Sequence, residues 1–302
     1  MVAATTALRH KMASAEDLKA VVRAMKASAA SAIGQYERSV QALADYALTV
    51  EQGLSLCLRQ ANPNVCWGDV VPASEPQETH AIVFGSDQGL VGSFNTVVVA
   101  HALATLGAAP HVQAKVWAVG ERAHALLLDA GVRCEGQFEV PSSVEAITRL
   151  VTQILLTVPD LDSGLSLRLF HNQPDGRTGY TPVGQALLPL DHLWQQGLAQ
   201  RAWPAPVVPE VLGGRAEALR GFVREHLFVS LFRASAESLA SENASRLAAM
   251  QRADQNIAEL LQVMHKDFHR LRQSGIGEEL FDVIAGFDAL DASNANGADA
   301  PH

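Results

Sequence analysis

Apolar residues recur every third and fourth position over two long stretches at opposite ends of the chain. The C-terminal stretch carries Ala236, Ala240, Asn243, Leu247, Met250, Asp254, Ile257, Leu261, Met264, Phe268 and Leu271 on one seven-residue repeat. The N-terminal stretch carries Leu18, Val22, Met25 and Ala29, then, after an extra four-residue step, Ile33, Tyr36, Val40, Leu43, Ala47, Val50, Leu54 and Cys57. A sustained seven-residue period predicts helices that pair as a coiled coil. The extra step predicts local unwinding between Ala29 and Ile33. At 1.5 Å per residue, helices over about Thr5 to Leu58 and Arg215 to Gln273 would reach roughly 80 and 90 Å.

Between them the period changes. From His80, short apolar runs alternate with helical patterns: Ala81 to Phe84, Phe94 to Leu106, Lys115 to Val119, Arg122 to Leu128, Val132 to Phe138, Ser143 to Leu156 and Leu165 to Phe170. Strand and helix in this alternation predict a mostly parallel sheet covered on both faces. Asn172 to Tyr180, rich in Gly, Pro and Asp, reads as a loop, and Gln185 to Leu190 as an edge strand. Trp203 to Pro209 reads as an extended lead-in to the second long helix. The fold class expected is therefore α/β, with a long antiparallel coiled coil of the terminal helices and a Rossmann-like base. The boundaries are 1–60 and 213–290 for the helices, 77–212 for the base, and 291–302 for a small, polar, disordered tail.

Charge refines this picture. The chain of 302 residues has a formal charge of −9, yet residues 1–59 hold 7 Lys and Arg against 5 Asp and Glu, and residues 213–273 hold 9 against 7. An acidic total argues against nonspecific nucleic-acid binding, which needs clustered cations. Weakly basic helices suit an acidic partner or are simply solvated. Cys57, Cys66 and Cys134 lack zinc-site spacing and fit reduced thiols of a cytosolic protein. No apolar run reaches 18 residues, so the expectation is a soluble chain that meets a membrane only through a partner.

Candidate chemistry is sparse. Gly85, Gly89 and Gly92 follow the first strand of the base, where glycines and a helix N-terminus can cradle a phosphate. Their spacing does not make the dinucleotide fingerprint, and no Lys followed by Ser or Thr completes a P-loop. His265 and His269 lie one helical turn apart, but Lys266 stands where a zinc protease needs its carboxylate. There is no nucleophile elbow of the Gly-x-Ser-x-Gly type. Asn243 and Asp254 occupy seam positions where apolar residues are expected. They either fix the register of the paired helices or mark places where the helices splay. No catalytic residue, cofactor or metal is assigned.

Three separated stretches together resemble the gamma subunit of F-type ATP synthases. Leu8 to Met12 with Val21 to Ala30 is similar to the family's basic opening and its Lys-Ala-Met-x-Met-Val-Ala-Ala segment. Ser86-Asp87-Gln88-Gly89-Leu90-Val91-Gly92-Ser93-Phe94-Asn95 resembles its Ser-Asp-Arg-Gly-Leu-Cys-Gly-Gly-x-Asn loop. Ser241 to Met250 resembles its Ser-Glu-x-x-Ala-Arg-Met-x-Ala-Met, and Arg272-Gln273 through Ile276, Glu279, Leu280, Ile284 and Gly286 its C-terminal motif.

The resemblance implies a non-catalytic rotor whose paired helices stand inside an alpha/beta hexamer. Its base would touch the epsilon subunit and the c-ring, as a peripheral protein on the cytoplasmic face of the cell inner membrane. It implies contacts to the beta subunit through Met25, Lys26, Arg272 and the loop Asp87, Gln88, Gly89, Leu90 and Val91. Arg246, Gln273 and Glu279 match positions that pack near that methionine. Gln88 replaces the family's usual Arg, Val91 its Cys and Gly277 its Thr, and the variant loop from Gly85 to Gly92 also resembles a divergent, sodium-moving bacterial branch. The competing readings are an α/β nucleotide-binding enzyme dimerised through helical arms, and a coiled-coil scaffold unrelated to ATPases. A mononucleotide bound by the purified chain would favour the first, and self-association through the arms the second.

Overall fold

The computed structural model describes residues 2–59, 79–107, 114–157, 165–176, 179–207, 209 and 214–297. In chain order the elements are α1 (Val2–Arg59), β1 (Thr79–Phe84), α2 (Phe94–Gly107), β2 (Ala114–Val119), α3 (Glu121–Asp129), β3 (Cys134–Phe138) and α4 (Val144–Thr157). They are followed by β4 (Ser166–Pro174), β5 (Tyr180–Leu188), α5 (His192–Gln200) and α6 (Arg215–Gly297). No helix among the described residues is long and apolar enough to cross a membrane.

The chain forms two compact units. One comprises residues 1–26 with 250–302, the other residues 27–249. The larger unit holds the five-stranded sheet in the order β3-β2-β1-β4-β5. The pairs β1–β2, β1–β4 and β2–β3 are parallel, and β5 closes the edge antiparallel to β4. Alternation along the strands divides the core. Ala81, Val83, Val116, Ala118 and Phe170 face α2 and α3, packing with Val98, Ala102, Ala123 and Leu127. Ile82, Phe84, Val119, Leu167 and Leu169 face the other way, onto Ile147, Val151 and Ile154 of α4 and onto Leu54, Val223, Leu227 and Leu231 of the two long helices. Covering both faces is what lets β1 read as an almost uninterrupted apolar run.

The strand and helix pattern from His80 to Phe170 matches expectation, with ends displaced by a few residues at most. Asn172 to Tyr180 departs from it. β4 continues to Pro174 and β5 begins at Tyr180, so the loop narrows to a turn around Asp175 and Gly176. Polar composition suggested a loop because β5 is an edge strand with exposed positions, and cross-strand pairing decides the matter instead. Helix α5 was not expected. Asp191 starts it by accepting the Trp194 amide at 2.7 Å, and its buried Leu198 joins the core. Helix α6 runs to Gly297, past the expected end at 290.

Along α1 the repeat differs from the expected one. Leu18 is 54% exposed, so it is not a seam residue. Among the buried or half-buried positions, Leu8, Met12, Ala15, Lys19, Val22, Lys26, Ala29, Ile33 and Tyr36 alternate steps of four and three without interruption, with half-buried Met25, Ala32 and Gly34 flanking that line. The four-residue insertion disappears once Lys19 and Lys26 take the seam places. A lysine can lay its aliphatic stem against apolar surface while its ammonium reaches a polar partner.

Candidate functional site

In the larger unit, the loop that follows β1 is held by a closed set of hydrogen bonds. Ser86, wholly buried, donates its amide to Asn95 Oδ1 at 2.9 Å, and Asn95 Nδ2 donates back to Ser86 Oγ at 2.8 Å. Ser86 Oγ donates in turn to the Gln88 carbonyl at 2.9 Å. The Asp87 carboxylate accepts the Glu121 amide on one oxygen and the Val140 amide on the other, each at 3.0 Å. A carboxylate at the first turn of α3 is favoured by the helix dipole. Gly120 makes the close approach possible: its φ is +100°, and a Cβ there would sit 2.8 Å from the Ser86 backbone.

Helix α6 forms the ledge beneath this loop. Ser245 Oγ donates to the Val91 carbonyl, and one turn earlier Ser241 Oγ donates to the Asn172 carbonyl at 3.0 Å. Asn172 Nδ2 donates to the Phe94 carbonyl at 2.9 Å, tying β4 to the start of α2. Beside Ser241 and Ser245, Arg246 pairs with Glu242 at 2.6 Å, and both side chains are largely buried. Burial pushes the Glu242 carboxyl above its ordinary value; Arg246 pulls it back, and the Asp87 charge raises it. Asn243 does not reach across a seam. Its Nδ2 folds back to the Leu239 carbonyl at 2.8 Å, and its Oδ1 lies 3.5 Å from Arg246.

What this scaffold presents outward is small. Gln88 and Leu90 are exposed, whereas Val91 is 2% exposed and serves to anchor the loop. Leu90 is 61% exposed at a φ of 64°, a left-handed conformation uncommon for leucine. Backbone states of this kind cluster at ligand clamps and switch regions. Within the turn the Gly85 and Ser86 amides are engaged, by the Val119 carbonyl at 2.8 Å and by Asn95 Oδ1. A cavity of about 180 Å³ elsewhere in this unit is lined by Glu51, Gln185, Trp194, His226 and Arg233 among others, and by no residue of the loop. Burial holds His226 below its ordinary pKa there.

The smaller unit contains the other expected residues. Lys26 Nζ meets Asp254 Oδ2 at 3.2 Å, and Arg23 Nε meets Asp254 Oδ1 at 3.5 Å. The hydrogen bond from Lys26, with the Coulomb attraction of Lys26, Arg23 and Lys19, holds the Asp254 carboxyl below its ordinary value. Met25 is half-buried beside Lys26, while Arg272 and Gln273 are exposed. The side chain of Glu279 lies outside the described residues. Arg9 stacks over Phe268, 5.6 Å from the ring centroid.

Sequence reasoning named the loop and the seam carboxylate but not Ser86, Asn95, Asn172, Ser241 and Ser245 as a unit. The only signal was the i, i+4 spacing of the two α6 serines, which puts them on one helix face.

Comparison with known proteins supplies the context. Residues 4–290 match the family described as ATP synthase. The mitochondrial ATP synthase subunit gamma of Arabidopsis thaliana is 25% identical over 298 residues, covering 96% of this chain and 86% of the plant protein. The ATP synthase gamma chain of Syntrophus aciditrophicus is 24% identical over 297 residues, covering 95% and 99%. Among solved structures, a chain of the Euglena gracilis mitochondrial ATP synthase OSCP/F1/c-ring assembly aligns over all of this chain and 99% of its own, with a TM-score of 0.63 at 16% identity. A chain of the Tetrahymena thermophila central stalk/c-ring structure aligns over 77% and 99%, with a TM-score of 0.56 at 20% identity. These two likenesses establish the fold.

Proposed function

The chain belongs to the ATP synthase gamma-subunit family, and from that membership we propose that it is the central-stalk rotor of an F-type ATP synthase, coupling ion movement through a membrane sector to ATP synthesis or hydrolysis. The observation that carries the reading is the family match from residue 4 to residue 290, which spans both compact units rather than the sheet alone. The alternative of a nucleotide-binding enzyme leaves the match over the two terminal segments unexplained.

On this reading residues 1–60 and 213–290 are the helices that stand within an alpha/beta hexamer, and residues 77–212 form the base that meets an epsilon subunit and a c-ring. The protein is peripheral, on the cytoplasmic face of the cell inner membrane. Met25, Lys26, Arg272 and the exposed tip Gln88 to Leu90 contact the beta subunit, with Asp87 and Val91 holding that tip in place. Gln273 and Glu279 serve coiled-coil packing and coupling along α6, and Arg246 acts through Glu242 on the ledge beneath the loop. The chain itself performs no bond chemistry. It biases nucleotide sites on its partners by offering each a different face, and only such differential contact can shift their populations.

The test is reconstitution with alpha and beta subunits. One copy per hexamer is expected, with ATPase activity in the assembly and none in the isolated chain. Three copies per assembly, or nucleotide turnover by the chain alone, would overturn the reading.

A further inference from the structure

In the smaller unit the apolar seam is built from Val22, Met250, Ile257 and Leu261, all buried, with Leu8, Met12, Ala15, Met264, Phe268 and Leu271 half-buried around them. Such a seam is nearly indifferent to alignment. Sliding one helix by seven residues, about 10 Å, sets apolar positions opposite apolar positions again, so hydrophobic burial alone accepts several registers. Something other than the apolar residues must choose among them.

Two cross-helix contacts define the alignment that is adopted. Arg23 meets Asp254, and Arg9 stacks on Phe268. Along each helix these contacts are two heptads apart, from Arg9 to Arg23 and from Asp254 to Phe268, so they occupy equivalent positions of one antiparallel pairing. Asp254 is the charged residue on the α6 side of this seam, with a side chain 19% exposed and two cations on its two oxygens.

We propose that Asp254 is the register-setting residue of this helix pair, a seam carboxylate that Lys26 and Arg23 satisfy in one alignment only. The neighbouring registers are penalised by the sequence itself. Seven residues before Arg23 and Lys26 stand Glu16 and Lys19, so a slip in that direction trades one cation for a carboxylate facing Asp254. Seven residues after them stand Ala30 and Ile33, so a slip the other way leaves the carboxylate against apolar side chains with no partner. A largely desolvated charge without a partner is strongly unfavourable. A single polar residue at a seam position is a well-attested means of fixing alignment in coiled coils.

The test reads alignment directly in the full-length chain, so its outcome is independent of whether the chain works as a rotor. Spin labels are placed on exposed Ser14→Cys and Gln255→Cys, with the native cysteines changed to Ser. The parent chain is expected to give one narrow interlabel distance. Asp254→Asn, which keeps the shape and removes the charge, is expected to broaden it or add a population displaced by several ångströms, while Asp254→Glu keeps a single distance. The exchange Arg23→Glu, Lys26→Glu, Asp254→Lys is expected to restore the single distance with reversed signs, and it decides the question should Asp254→Asn fail to fold. A distance in Asp254→Asn identical to the parent, or failure of the charge exchange to restore one population, would overturn the assignment.

Discussion

Removing the Asn95 side chain is the sharpest test of how the loop after β1 is held. Asn95→Ala deletes the acceptor of the Ser86 amide and the donor to Ser86 Oγ, contacts of 2.9 and 2.8 Å between a buried Asn95 and a wholly buried Ser86. A buried amide left without an acceptor costs about 1–3 kcal/mol, and the second lost bond about 1 kcal/mol more, giving about 2–4 kcal/mol in all. Hydrogen exchange is the assay, because it separates the sheet from the long helices. Amides of β1 and β2 should lose about 2–4 kcal/mol of protection, and the Ser86 amide should exchange at least about tenfold faster. Thr96→Ala, at the exposed neighbouring position, should change protection by no more than about 0.5 kcal/mol. An Asn95→Ala protein with parental protection at Ser86 would show that the loop does not depend on this pair.

Gly120→Ala forces an L-residue to φ +100° with its Cβ 2.8 Å from the Ser86 backbone; strain of about 1–3 kcal/mol plus the clash should lower Tm by about 5 °C or more in a thermal scan. Arg246→Ala leaves the 7%-exposed Glu242 side chain without its cation, and about 3 kcal/mol should be lost at neutral pH in urea titrations. Because burial already raises the Glu242 carboxyl and loss of Arg246 would move it further up, its folded form takes up a proton as pH falls, so this loss should shrink as the pH is lowered from neutral. A pH-independent loss would refute that account. Leu90→Gly relieves the left-handed backbone at an exposed site and should raise stability by about 0.5 kcal/mol, while speeding dissociation from the reconstituted hexamer.

Most of the architecture could be read in the residues because the two periods are so distinct: a seven-residue repeat at the ends and short apolar runs between. What escaped was decided by partners rather than local pattern. Lys19 and Lys26 look like surface residues until Asp254 is placed opposite Lys26, and Leu18 looks like a seam residue until its exposure is known. Helix α5 has no strong periodic signature and depends on its Asp191 cap and on Leu198 reaching the core. The stretch from Asn172 is strand through its pairing with β5, although its composition favours a loop. The site was half legible. The loop from Ser86 to Asn95 stood out by resemblance, but its hydrogen bonds to Ser245 and, through Asn172, to Ser241 join residues 69 to 154 positions apart, and only folding brings them together.

The unbroken seven-residue spacing along α1 has a mechanical meaning. A change of period would be a soft spot, where local unwinding absorbs applied twist. With none between Leu8 and Tyr36, elastic deformation has no preferred place to collect, and the left-handed winding favoured by this period tightens under torsion of one sense and loosens under the other. A helix of this kind stores twist evenly and is stiffer in one direction of turning than in the opposite one.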